Sequence, residues 1–176
     1  MERMAIFMKY TSAQANKLLK KLNDAYQALL QEEDQSSTFL AAMGEDPEAL
    51  RPGYVYADTQ ARLWETERQI LTVKHAINVF NATHTLEGFD LTIDQALVYI
   101  PMLSGRVRKL AEMKARLPKA REKQDRYSGV NIIDYRHINY DRTQVTADYE
   151  KAFDELCRLQ TALDTANNTE TLEIDL

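Results

Sequence analysis

The sequence predicts an all-α fold: antiparallel long helices packed as a bundle or as coiled-coil hairpins, with room for a minor two-stranded β accessory. Three observations carry that prediction. Large apolar residues recur every three or four positions in four segments starting near residues 11, 58, 92 and 141, a spacing that gathers them on one stripe of a helix. The positions between them hold Lys, Glu, Gln and Arg. Only five Gly and four Pro interrupt 176 residues, which leaves little chain for long linkers. The whole of 1–176 reads as a single helical domain, and folding at this length buries roughly two thirds of the unfolded chain's surface.

The first helix is announced by Thr11-Ser12-Ala13-Gln14, a capping box in which hydroxyl and amide side chains satisfy free backbone donors. Leu19, Leu22, Tyr26 and Leu29 follow on one stripe, and the pattern, weakened at Glu32-Glu33-Asp34, resumes at Phe39-Leu40 and predicts an end near Gly44. A connector follows to Tyr56, where Asp46-Pro47 can open a single turn and Arg51-Pro52-Gly53-Tyr54 forms a tight one. The second helix runs from Asp58 with Leu63, Ile70, Val73, Ile77 and Phe80 in a coiled-coil-like spacing, and the chain turns at Gly88. Thr92-Ile93-Asp94-Gln95 is a second capping box. It opens a third helix with the stripe Leu97, Ile100, Leu103, Val107, Leu110, closed by Pro118. Pro101 removes one hydrogen bond inside it, which predicts a kink or a break near Ser104-Gly105. The fourth helix starts at Asp141, carries Val145, Tyr149, Phe153, Leu156, Leu159 and Leu163, and ends near Asn167-Asn168. Residues 130–140 are dense in β-branched and aromatic side chains, and 171–175 alternate apolar and polar. These two stretches are either short strands paired with each other or an ordered loop and a tail.

The end of the second helix, the glycine turn and the start of the third helix carry a resemblance. Ile77-Asn78-Val79-Phe80-Asn81-Ala82-Thr83, then Leu86, Gly88 and Leu91-Thr92-Ile93-Asp94-Gln95-Ala96-Leu97, resemble a family of small bacterial all-helical proteins, some labelled septicolysin-like and most of unknown function. The resemblance runs from about Met8 onward and includes Leu159-Gln160 and Leu163-Asp164. It implies an all-helical, coiled-coil-like fold and supplies no catalytic residues. Members start near a dipeptide like Met8-Lys9, which implies that the first seven residues are an extended start.

Composition excludes several function classes. Cys157 is the sole cysteine, so no disulfide forms within the chain and a reducing compartment fits. The apolar stretch in 1–10 is too short for a signal-peptide core, and no 18-residue apolar run exists. The expectation is a cytoplasmic protein with no membrane contact. Charge is uneven: residues 106–126 hold nine basic against three acidic residues, and the remainder thirteen against twenty-four. Arg106, Arg116 and Arg121 lie in this run, and Tyr127, Tyr135, His137 and Tyr140 come after it, a mixture able to track phosphates and stack on bases. The blander reading is a helix end whose positive charge meets the acidic arms of a neighbouring subunit. It is preferred, because a chain of net charge −5 is repelled by polyanions.

The remaining chemistry is thin. Asn78, Asn81, Thr83 and Thr85 are able to hold a ligand or water network, and equally to cap a helix and fix its register; structure is preferred. His84 with Glu87 and Asp90 lacks a recognised metal-ligand spacing. No Glu-x-x-His occurs, which argues against a di-iron bundle. Cys157 reads as a half-buried packing residue, since a catalytic thiolate needs a base and an oxyanion site. The expectation is therefore a protein without catalytic residues, metal or cofactor, acting as a homo-oligomer or with a protein partner. Its seam is Leu19, Leu22, Tyr26, Ile70, Val73, Ile77, Tyr149, Phe153 and Leu156. Nucleic-acid binding through residues 106–126 is the second reading, with Arg106, Arg116, Arg121, Tyr127 and Tyr135 as candidate binding residues; a small enzyme or ligand carrier built around Asn78, Asn81 and Arg106 is the third.

Overall fold

A computed structural model of the protein describes residues 7–122 and 133–176. Among them the order is β1 (Phe7–Thr11), α1 (Ser12–Ser36), α2 (Pro47–Leu50), α3 (Tyr56–Thr83), α4 (Ile93–Ala115), β2 (Lys119–Arg121), β3 (Tyr135–His137), α5 (Arg142–Thr169) and β4 (Thr171–Asp175). The protein is thus mostly helical with a small β accessory. It divides into two compact units, one comprising Met1–Thr85 and Asp164–Leu176, the other Leu86–Leu163.

In the first unit, Thr11 does what its sequence context predicts. The Thr11 N–H donates to Gln14 Oε1 at 3.0 Å and the Gln14 N–H to Thr11 Oγ1 at 3.2 Å, opening α1. Ala15 of α1, Val73 and Ile77 of α3, and Leu172 and Ile174 of β4 form one core, with Leu18, Leu19 and Leu22 packed against it. Side-chain bonds fasten the two helices further along. Tyr26 donates to Glu67 at 2.9 Å, and Tyr54 and Gln60 both donate to Glu33 at 2.8 Å. These carboxylates raise the pKa of both phenols, because ionisation breaks the hydrogen bond and sets two negative charges together.

Three expectations for this unit need correction. The helix α1 stops at Ser36, eight residues before Gly44. Glu32, Glu33 and Asp34 crowd its final turns with no base in the last one, where the helix dipole disfavours acids, and Phe39, Leu40 and Met43 find no core to join. The C-terminal strand β4 does form, but its partner is β1, antiparallel, with Phe7 opposite Asp175 and Thr11 opposite Thr171. Its alternation explains the choice: Leu172 and Ile174 face inward while Thr171, Glu173 and Asp175 are exposed, and β1 lies next to the core of α1 and α3. The third concerns α3, which opens at Tyr56 without a side-chain cap. The single turn at Pro47 is present as α2, capped by Asp46, whose carboxylate accepts from Glu48 N–H at 3.0 Å.

In the second unit, Gly88 takes φ +79 in the turn between Leu86 and Leu91, a conformation that side chains disfavour. The Leu86 N–H donates to Leu91 O at 2.9 Å and closes it. The helix α4 begins at a second capping box: Thr92 N–H to Gln95 Oε1 at 2.9 Å, Gln95 N–H to Thr92 Oγ1 at 3.3 Å. It runs unbroken through Pro101 to Ala115, so of the two alternatives, a kink at Pro101 or a break near Ser104-Gly105, the break does not occur. Pro101 is exposed on the side away from the core, so the carbonyl it deprives remains within reach of water. Leu103 of α4 with Ala152 and Leu156 of α5 form the core, flanked by Tyr99, Ile100, Val107 and Leu110. Tyr99 donates to Glu155 at 2.9 Å, which raises the phenol's pKa for the same reason as above. Here the other strand expectation is corrected: β3 pairs with β2, Lys119 opposite His137 and Arg121 opposite Tyr135. Of the stretch 130–140, residues 130–132 lie outside the described residues.

Candidate functional site

The second unit presents a cleft of about 770 Å³ where α4 ends and the β2–β3 pair begins. Pro118 stops α4, and the chain returns as β3 beside β2, with Ile138 N–H donating to Pro118 O at 3.2 Å. Two side chains finish the open end of α4. Tyr140 donates its hydroxyl to Met113 O at 2.7 Å and Arg142 Nε to Lys114 O at 3.1 Å, satisfying carbonyls that a helix end leaves bare. Met113, Leu117, Ala120, Ile138 and Tyr140 give the cleft its apolar lining; Lys109, Glu112, Arg116 and Arg136 give it charge, and His137 lies among them.

These charges are not equivalent. Arg136 Nε lies 2.7 Å from Glu122 Oε2, a hydrogen-bonded pair that lowers the pKa of Glu122 and raises that of Arg136. Lys114 is occupied too, 3.9 Å from Glu150 and 4.7 Å from the centre of the Tyr149 ring. Lys119 sits 4.0 Å over the Tyr135 ring. Lys109 and Arg116 have no ion-pair partner among the described residues, and neither does Glu112. The two cations are seven residues apart, two helical turns, so both point to one side of α4.

That side is apolar farther back along the helix. Val98, Met102, Gly105, Lys109, Met113 and Arg116 fall within about 80° of arc at 3.6 residues per turn, opposite Ala96, Leu103 and Val107. Val98 is 63% exposed and Met102 67%. The helix α4 therefore carries two apolar sides, only one of which is covered. A second exposed apolar pair, Trp64 and Leu71, lies on α3 away from Leu63, Val73 and Ile77.

The predicted seam residues find neighbours within the chain. Leu19 and Leu22 pack on the core containing Val73 and Ile77, Tyr26 bonds Glu67, and Ile70 is half-buried. Tyr149 stacks on Phe153 with ring centres 5.9 Å apart, and Leu156 joins the second core. Phe153 remains 44% exposed, because Ala152 takes the inward position beside it. Of the candidate binding residues, Arg116 lines the cleft and Tyr135 stands on β3 beside it. Arg106 lies elsewhere on α4, lining a shallow depression with Asp148, Lys151 and Glu155. Arg121 is exposed on β2, and Tyr127 lies outside the described residues. Asn78 is exposed on α3, while the Oδ1 of Asn81 is buried with no hydrogen-bond partner. Asn78 and Asn81 belong to the first unit and Arg106 to the second, as do His84 and the pair Glu87 and Asp90 respectively.

Cys157 is exposed rather than half-buried, since Leu156 and Leu159 take the inward positions on either side. Among the described residues, no group of three or more His, Cys, Asp or Glu side chains is placed to hold a metal ion. No described helix is long and apolar enough to cross a membrane.

No protein family and no curated protein matches the sequence. The fold is similar to a crystal structure of a functionally unknown conserved protein from Corynebacterium diphtheriae. The two align with a TM-score of 0.55 at 19% identity, over 94% of this chain and 99% of that one. At that identity the likeness speaks for the shared fold alone.

Proposed function

We propose that this protein is a structural or protein-interaction module that self-associates through apolar helix faces. In this reading it works in a reducing, cytoplasmic setting, performs no catalysis, uses no cofactor, and shares the septicolysin-like family's helical scaffold. One observation supports it above the others: α4 is apolar on two opposite sides and leaves Val98 and Met102 in water. Exposed apolar patches mark interaction sites. The lone exposed Cys157 accords with a reducing compartment. The test is mass in solution by light scattering at low and moderate salt. The wild-type chain is expected to be an oligomer, and Val98→Glu with Met102→Glu to yield the monomer mass. An oligomer unmoved by this pair of changes would remove the α4 face from the proposal.

The second reading, nucleic-acid binding through residues 106–126, draws on Lys109 and Arg116, whose charges are uncompensated. Arg106, Arg108, Lys109 and Lys114 point in different directions around α4, which suits a continuous phosphate track poorly. Binding of a mixed short oligonucleotide that weakens steeply with salt and with Arg116→Glu or Arg121→Glu would favour this reading.

A further inference from the structure

The connector of the first unit is an unusual piece of surface. From Glu32 to Leu50 the chain holds six carboxylates and no cation. Within it Leu40 is 96% exposed and Met43 wholly so. Single exposed apolar side chains are ordinary on proteins; two large ones three residues apart, with nothing from their own chain against them, form a feature. The stretch also has a fixed shape. Ala42 N–H donates to Glu45 Oε2 at 2.8 Å, Glu45 N–H to Ala42 O at 3.1 Å, Asp46 caps α2, and Arg51 closes on Glu48 at 2.8 Å. It is a preformed acidic, apolar loop.

The cleft at the end of α4 is its chemical converse. Met113, Leu117 and Ile138 give it an apolar lining, and Lys109 and Arg116 stand beside them with no ion-pair partner among the described residues. We infer that the acidic connector of one copy seats in the basic cleft of a second copy, Leu40 and Met43 entering the apolar lining while Glu45 and Asp46 meet Lys109 and Arg116. This rests on the self-association proposed above and names its contact. A second copy is the occupant because one chain carries both halves, opposite in charge and alike in hydropathy. A reciprocal exchange, each copy giving its connector and receiving the other's, is the two-fold arrangement that leaves neither half open. Glu112, the unpaired acid of the cleft, opposes the incoming carboxylates, so the two cations must outweigh it.

The test uses the full chain and two sets of substitutions, Leu40→Ser with Met43→Ser in the connector and Arg116→Glu in the cleft. None of these side chains has a hydrogen bond or ion pair among the described residues, so thermal unfolding of each variant is expected to match the wild type. By light scattering over a dilution series, each variant is expected to dissociate at least about tenfold more readily, and wild-type association to weaken with salt. Mixing the two variants restores one intact junction of the two, so the mixture is expected to hold more dimer than either variant alone. A wild-type oligomer untouched by both sets of changes would overturn this inference and leave association through α4 standing. A wild-type monomer at every concentration would overturn both. Failure of the mixture to regain mass would overturn the reciprocal junction, as would an oligonucleotide that binds at Arg116 while oligomer mass ignores the substitution.

Discussion

The two units solve the same problem, burying a helix pair, and leave different surfaces behind. In the first, α1 and α3 are covered by β4 as well as by each other, so Val73 is fully buried and Ile77 nearly so. Strand β4 supplies two inward side chains from residues far along the chain. In the second, α4 and α5 pack around Leu103, and the β2–β3 pair at the end of α4 buries none of its residues. The apolar pair Val98 and Met102 on α4 stays exposed. Sheet residues closed one helix pair into a core; in the other the strands helped to build a cleft instead. The strands of one unit thus cover a core, and those of the other line an open cleft.

The sharpest way to break this contrast is at Ile77. Ile77→Asp places a carboxylate among Ala15, Leu172 and Ile174, at an expected cost on the order of 4 kcal/mol or more. The first unit's cooperative unfolding should be lost by circular dichroism, and a wild-type-like transition would refute the placement of that core. Leu103→Ala should cost about 2–4 kcal/mol, measured by denaturant titration; a value under about 1 kcal/mol would contradict the placement of Leu103 in a packed core. Tyr99→Phe removes the bond to Glu155 and should cost about 0.5 kcal/mol, discounted for its partial exposure. Because its folded pKa is raised, that contribution is present below the ordinary phenol range and disappears as pH climbs through the folded value. A Tyr99→Phe variant that loses the same stability at pH 7 and pH 11 would deny the bond its role. The smallest effect is at Glu122, whose pKa is depressed by Arg136. Its support for the β2–β3 pair is present at neutral pH and fades as acid takes pH through that lowered value. Amide chemical shifts at Ala120 and Arg136 should move in that window, and stay put in Glu122→Gln.

Much of the helical frame is legible in the sequence because its signals are local. Both capping boxes, at Thr11 and Thr92, need only residues three apart to meet. The inward positions of α3 and α5 follow a single period. What escapes is whatever depends on a distant partner. The alternation of Thr171–Asp175 announces a strand, yet nothing nearby tells it to choose Phe7–Thr11. Lys119–Arg121 is too short and too charged to read as a strand at all. The stripe of Leu97, Ile100, Leu103 and Leu110 draws the eye to one side of α4 and hides Val98 and Met102 on the other. Leu97 itself turns out 48% exposed. The basic run is plain in composition, but its division into occupied and free charges is not. Glu122 claims Arg136 and Glu150 claims Lys114 only after the chain has folded. Lys109, Met113 and Ile138 drew no attention as site residues for the same reason, since two of them are ordinary apolar residues until α4 and β3 are set side by side.

The pairing of β1 with β4 also has a consequence in time. The ribosome delivers the chain from its N-terminus, so β1, α1 and α3 emerge long before their last inward side chains, Leu172 and Ile174. Residues 86–163 are contiguous and can organise while the first unit still waits, its apolar groove uncovered. The discontinuous unit is therefore completed only after the contiguous one has emerged, and during that interval its apolar surface stays exposed.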